Sequence, residues 1–216
     1  MSIDHFINLL DAEGRRVFTD LNSPFEIQAY LDSIPYSIDY ANHCPLSVLR
    51  LGKAHCLDGA LLAAVALHRL GNPPLLIDMY PEPGTDDDHV LAIFQVGRHY
   101  GAIAKSNYPG LRFREAVYRS TRELVMSYFN DFFNLRGEKT LRFYTAPLNL
   151  ARLDALEWMW KDSGADAVEQ CLLRLRKIPV VTSEMVKILS PLDKRSLQAG
   201  MLGVNPDGLY RPQAKR

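Results

Sequence analysis

The chain has 216 residues, 47% of them hydrophobic and 23% charged, with 25 Lys plus Arg against 25 Asp plus Glu. That composition excludes a disordered, collagen-like or coiled-coil chain, and a net charge of zero shows none of the basic excess of a dedicated nucleic-acid binder. The longest nearly apolar stretch, residues 57–67, already contains Asp58 and falls far short of the ~20 residues that cross a bilayer, so no membrane partner is expected.

The start, MSIDHFINLLDAEGRR, has no basic region followed by an apolar core, which reads as the absence of a signal peptide. Ser23-Pro24-Phe25-Glu26 is a capping box with proline at the first helical position, and the helix it opens should run to about Ser33 and stop before Pro35. A loop, YSIDYANHCPLSVLRLG, comes next. In HCLDGALLAAVALHRLGNPP the residues Leu57, Ala60, Leu61, Ala64 and Val65 keep the i, i+3, i+4, i+7, i+8 spacing. ALLAAVAL is apolar all round, so this helix should be central and buried, with Gly71 at its C-terminus and Pro73-Pro74 beyond.

Three strands come after it: residues 75–80, then 89–96 and 99–105, the last two joined by Gly97-Arg98, which reads as a hairpin with a type II′ turn. Ser120-x-x-Glu123 opens a helix to about Asn134 whose aromatics Tyr128, Phe129, Phe132 and Phe133 should be core; residues 140–144 form another strand. Beyond Asn149 four helices are expected, with Trp158 and Trp160 tying them to the rest and forming either a cover over the cleft or a plain stabilising appendage. The order predicts an α+β fold: an antiparallel sheet on a central helix over residues 1–148, a helical extension packed on that core over 149–202, and an extended tail over 203–216.

Three cysteines, Cys44, Cys56 and Cys171, are too few and odd in number for a disulfide framework, and their spacings of 12 and 115 residues contain no C-x-x-C pair for zinc. Reduced thiols in the cytoplasm are the expectation, with no metal or cofactor. Cys56 stands apart because it opens the central helix, where free N–H groups and the helix dipole favour a thiolate. A nucleophilic cysteine also needs a base, and His89, 33 residues on at the start of a strand, is the candidate. Taken singly, the thiol reads as a core residue and the histidine as a surface residue at a strand edge; together they read as a site.

The segment LRLGKAHCLDGALLAAVALHRLGNPPLLIDMY followed by DDHVLAIFQVGRHYGAI resembles the transglutaminase-like superfamily, and within it the bacterial transglutaminase-like cysteine peptidases. Cys56-Leu57-Asp58-Gly59-Ala60 matches the stretch that starts the central helix and His89-Val90 matches the H-V of the next strand, within residues 47–107. The resemblance implies a papain-like core, Cys56 as nucleophile and His89 as general base, acting on a peptide, protein or amide through a thioester. Two departures stand out: Ala54 where the family often has Gly, and AIAKSN where it commonly has an acid.

The residue that orients His89 depends on hairpin register. A two-residue turn sets Ser106 opposite His89; a three-residue loop with a bulge sets Asn107 there. Asn107 is favoured, because its carbonyl oxygen accepts from an imidazole N–H. Weaker candidates for the cleft are Gln28 as an oxyanion donor, His55 beside the nucleophile, and Asp58, for which a structural role in the first helical turn is the stronger reading. Asp86, Asp87 and Asp88 read as a solvated loop able to raise the pKa of His89. The alternative functions are a scaffold or binding module that kept the fold without catalysis, and an arylamine acetyltransferase-like enzyme, whose R-G-G-x-C approach to the cysteine is absent.

Overall fold

The computed structural model describes residues 3–39 and 41–211. Five helices come first: α1 (Ile3–Leu9), α2 (Ala12–Asp20), α3 (Pro24–Ser33), α4 (Pro45–Leu51) and α5 (Cys56–Arg69). Four strands succeed them, β1 (Leu75–Pro81), β2 (His89–Val96), β3 (His99–Ile103) and β4 (Arg114–Tyr118), then α6 (Thr121–Met126), β5 (Leu141–Thr145) and β6 (Leu148–Asn149). The last part holds α7 (Asp162–Arg174), β7 (Lys177–Pro179), α8 (Ser183–Lys187) and α9 (Lys194–Gly200), with 3-10 turns at Leu150–Leu156 and Pro206–Gly208. The strands make one antiparallel sheet in the order β4-β3-β2-β1-β5-β7, with β6 also on β1. The fold is α+β, with the helix that starts at Cys56 packed against the sheet.

Local chemistry accounts for the main elements. Ser23 Oγ accepts from the Glu26 N–H and Pro24 sits at the first helical position, which starts α3. Residues 57–67 of α5 are all buried, as an apolar-all-round helix must be. The α5 face of the sheet carries Leu76, Val90, Ala92, Phe94 and Ile103; the other face carries Ile77, Met79, Leu91, Ile93 and Ala102 beneath Tyr128 and Phe132. Gly97 has φ of 61° in a two-residue turn, and Val96 faces His99.

Several elements differ from the sequence expectation. α1, α2, α4 and β4 arise where no element was marked; Pro45 starts α4 rather than breaking the chain, because proline's missing N–H costs nothing in a first turn. The helix expected to reach Asn134 ends at Met126; Phe132 enters the core from irregular chain and Phe133 from an isolated bridge to Lys139. The region after Asn149 is not purely helical: β6 spans residues 148–149, β7 extends the sheet edge, and the segment ARLDALEWMW is a 3-10 stretch plus turns. Trp158, fully buried, and Ala165, Val168 and Leu172 of α7 join the core on the α5 side, and Trp160 packs edge-on to His5 at 4.8 Å. Among the described residues no helix is long and apolar enough to cross a membrane.

Candidate active site

Cys56 is the first residue of α5 and is partly exposed. The residue before it, His55, caps the helix: its Nδ1 accepts from the Leu57 N–H at 3.2 Å, and its Nε2 lies 3.3 Å from Asp58 Oδ1. Asp58 is fully buried, accepts from the backbone N–H groups of His55 (3.2 Å) and His43 (2.7 Å), and lies 3.4 Å from His43 Nδ1. The Asp58 carboxylate therefore ties the preceding loop to the start of α5. Neither His55 nor Asp58 is free to work on a substrate: the imidazole lone pair is taken by a backbone N–H and the carboxylate by two more. His43 is a partner that sequence reasoning missed, for it lies in a segment read as loop.

The thiol sits in a negative field. The Val90 N–H donates towards the sulfur, which favours a thiolate. Burial and then the carboxylates of Asp88, Asp87 and Asp78 act the other way and push the Cys56 thiol well above its ordinary value. The low-pKa thiol expected from the helix N-terminus is not what the resting structure holds. A helix dipole equals about half a charge, and burial together with the nearby acidic groups works against it. Asp88 is itself pushed up to about 7, by burial first and then by Asp87 and Glu169; Asp86 is pushed up to about 6 by burial while its Oδ2 accepts from Thr140 at 2.8 Å. Of the acidic loop expected to be solvated, Asp87 is exposed, and Asp86 and Asp88 are half-buried along the cleft.

His89 is buried and turned elsewhere. Alternation along β2 sends Val90 towards α5 and His89 to the opposite face, with Leu91. Its Nε2 lies 2.8 Å from the Leu111 carbonyl oxygen. A carbonyl only accepts, so Nε2 carries the proton and Nδ1 the lone pair. Burial, partly offset by the Leu111 bond, brings His89 down to about 4, so it is neutral at physiological pH. Among the described residues, no hydrogen bond joins His89 to Cys56.

The group that orients His89 is therefore a backbone carbonyl, not Asn107 or Ser106. The two-residue turn does set a register in which Ser106 would face His89, but pairing of β2 with β3 stops at Ala92 and Ile103. Gln28 causes the stop. Its Nε2 donates to the Ala104 carbonyl at 2.9 Å and its Oε1 accepts from the Ala104 N–H at 3.0 Å, drawing the chain out of the sheet. Gln28 is a buried structural clasp, not an oxyanion donor. Lys105 then donates to the carbonyls of Leu31 and Ile34 at the end of α3, at 2.7 and 2.5 Å. Ser106 Oγ accepts from the Tyr108 N–H, and Asn107 pairs with Asn205.

A cleft remains between these parts. It is lined by Tyr36, Asp86, Asp87, Asp88, His89, Ser106–Tyr108, Leu111, Phe132 and Phe133, with Gly208 and Tyr210 from the C-terminal segment; Cys56 is not among its lining residues. Tyr36 bridges Ala54 just ahead of Cys56, and the charge of a Cys56 thiolate contributes, after burial, to raising the Tyr36 hydroxyl. Gly208 and Tyr210 of the tail line this cleft, and Glu169 of α7 adds to the field at Asp88 beside it. Among the described residues, no group of three or more His, Cys, Asp or Glu could hold a metal ion.

No protein-family model matches the sequence, and no curated protein matches it. Solved structures similar to this chain include Legionella pneumophila LapG, with a TM-score of 0.37 and 14% identity over 49% of this chain and 71% of that one. Another is Legionella pneumophila LapG (EGTA-treated), with a TM-score of 0.36 and 14% identity over 49% of this chain and 70% of that one. The similarity is distant and concerns the fold.

Proposed function

We propose that the chain is a cysteine-dependent hydrolase or acyltransferase acting on peptides or amides, with Cys56 as nucleophile and His89 as the base that takes its proton. The observation that supports this best is the position of Cys56: first residue of α5, partly exposed, with the Val90 N–H aimed at its sulfur. The Leu111 bond leaves the Nδ1 lone pair of a neutral His89 free, and for that lone pair to take the thiol proton His89 has to swing from the far face of the sheet towards α5. In the reaction the thiol proton passes to Nδ1, sulfur bonds the acyl carbon, and the carbon–nitrogen bond breaks as the leaving amine takes the proton. Water or an amine then releases the thioester. The resting thiol stays protonated because of burial first and then Asp88, Asp87 and Asp78; a cationic substrate side chain beside those carboxylates would cancel the second part, so activation waits for substrate. With Cys44, Cys56 and Cys171 all free, the reducing cytoplasm is the setting we propose.

The reading is tested with an arginine-containing peptide that ends in an electrophilic ketone. It should label Cys56, and His89→Ala should slow labelling at pH 7 by about a hundredfold, the low end for loss of a general base. Labelling of Cys44 or Cys171 first, or equal rates for parent and His89→Ala, would remove the assignment. A second reading, a peptide-binding module without catalysis, is favoured by one observation: His89 faces away from α5. In that case the peptide binds and no cysteine is labelled.

A further inference from the structure

The C-terminal segment lies across the cleft, held mainly by contacts to backbone. Asn107 Oδ1 accepts from the Asn205 N–H at 2.8 Å, and Asn107 Nδ2 donates to the Asn205 carbonyl at 2.9 Å. One side-chain amide thus takes both hydrogen-bonding groups of a single residue, as a neighbouring strand would, and Asn205 is extended, with φ −73° and ψ 116°. Such a clasp reads main chain and ignores the side chain. Three residues on, Gly208 lies so close that a Cβ there would come within 3.0 Å of Asn107 Nδ2 and 3.1 and 3.3 Å of the Tyr36 ring. Tyr210 lines the same cleft as Asp88 and His89.

Little burial holds the segment in its seat. None of Pro206, Asp207 and Gly208 is buried, and Pro206 and Asp207 are exposed. The firm anchor lies just before it: a Cβ on Gly200, at the end of α9, would meet the Phe133 ring at 2.5 Å, so that helix is packed tightly on the core. Beyond Gly200 the chain acts as a short tether, which keeps a peptide-like segment at an effective concentration of order millimolar beside its seat.

We propose that Asn107 and Tyr36 form a subsite for an extended peptide backbone with a glycine three residues after the clasped residue, and that residues 203–211 of this chain occupy it in cis. The subsite deepens the peptide-directed reading and rests on it only for the ligand class. Asp86, Asp87 and Asp88, which line the same cleft, add a preference for cationic peptides. The resting protein therefore has its own tail in the place of a substrate, and a free peptide enters only when the tail leaves.

The test uses a fluorescein-labelled GVNPDGLYR peptide, read by anisotropy against the full chain. In Gly208→Trp the indole has no room between Asn107 and Tyr36, so the tail is expelled; this variant should bind the peptide at least about tenfold more tightly than the parent. A chain ending after Leu202 should do the same. Adding Asn107→Ala to Gly208→Trp should weaken binding by about tenfold, as loss of two hydrogen bonds to one residue requires. If neither opened chain binds, if both lose their cooperative melt, or if Asn107→Ala binds as well as its parent, the proposal is overturned. Binding to the opened chains while the electrophilic peptide labels nothing removes the catalytic reading and keeps the subsite.

Discussion

Gln28 and Asn107 make the same bond in two settings. Each presents a side-chain amide to one backbone residue and takes both its N–H and its C=O: Gln28 from Ala104, Asn107 from Asn205. The Gln28 clasp joins α3 to the end of β3 inside the core, where Ala104 is fully buried and Lys105 seals the same corner. The Asn107 clasp lies at the rim of the cleft and holds a segment in which Pro206 and Asp207 stay in solvent. The difference teaches that one hydrogen-bond pattern serves as a rivet or as a catch depending on whether water can replace the partner. In the interior a lost partner leaves orphaned polar groups; at the rim water or another peptide takes its place.

The sharpest way to break that contrast is Gln28→Ala. It strands the N–H and C=O of Ala104 without water, at about 1–3 kcal/mol each, and should lower the melting temperature by roughly 10 °C in a chain of this size. A shift under about 2 °C by calorimetry would mean that the inner clasp is no rivet.

His89 lines the same cleft as the Asn107 clasp and tests how dry that wall is. Its folded-state pKa of about 4 is below the ordinary 6.5. Above pH 6.5 neither state binds the proton and His89 contributes nothing to pH dependence. Between 6.5 and 4 the unfolded chain takes up the proton and the folded one does not, so stability falls with pH by about 3 kcal/mol in total. Asp88, raised to about 7, acts with the opposite sign, so the measurement is the difference between the parent and His89→Gln. Urea midpoints of the two should diverge steadily below pH 6.5; parallel curves would say that His89 is not held neutral.

The smallest expected stability effect is Asn107→Ala. Loss of two rim hydrogen bonds that water can replace should cost about 1 kcal/mol, with a melting shift near 3 °C. The same variant should make the bonds around residues 203–211 several times more sensitive to protease, since local opening is governed by the few contacts that hold a segment. A melt as damaged as that of Gln28→Ala, or an unchanged protease rate, would erase the distinction between rivet and catch.

Much of the architecture was legible because it rests on neighbours in sequence. The capping of α3 by Ser23, the buried α5 and the hairpin at Gly97-Arg98 all arise from spacings of a few residues. β7 escaped notice because three residues ending in Pro179 carry no period, and an edge position tolerates that proline. The site was half legible. Cys56 stands where the helix pattern sets it, but the partner of His89 was sought among side chains, and the group found was the Leu111 carbonyl, which every residue possesses and no motif announces.

The sequence by itself determined which residue opens the central helix, which strands form the hairpin, and in what register they start, since turn length and apolar alternation decide these locally. The tertiary structure decided what each polar side chain does. Gln28 reaches a residue 76 positions away, Asn107 one 98 away, and burial together with Asp88, Asp87 and Asp78 raises the pKa of a thiol that sits at a helix N-terminus. The reason is physical: periodicity and capping act over single turns of chain, whereas hydrogen-bond partners and electric fields depend on which distant segments folding brings within a few ångströms.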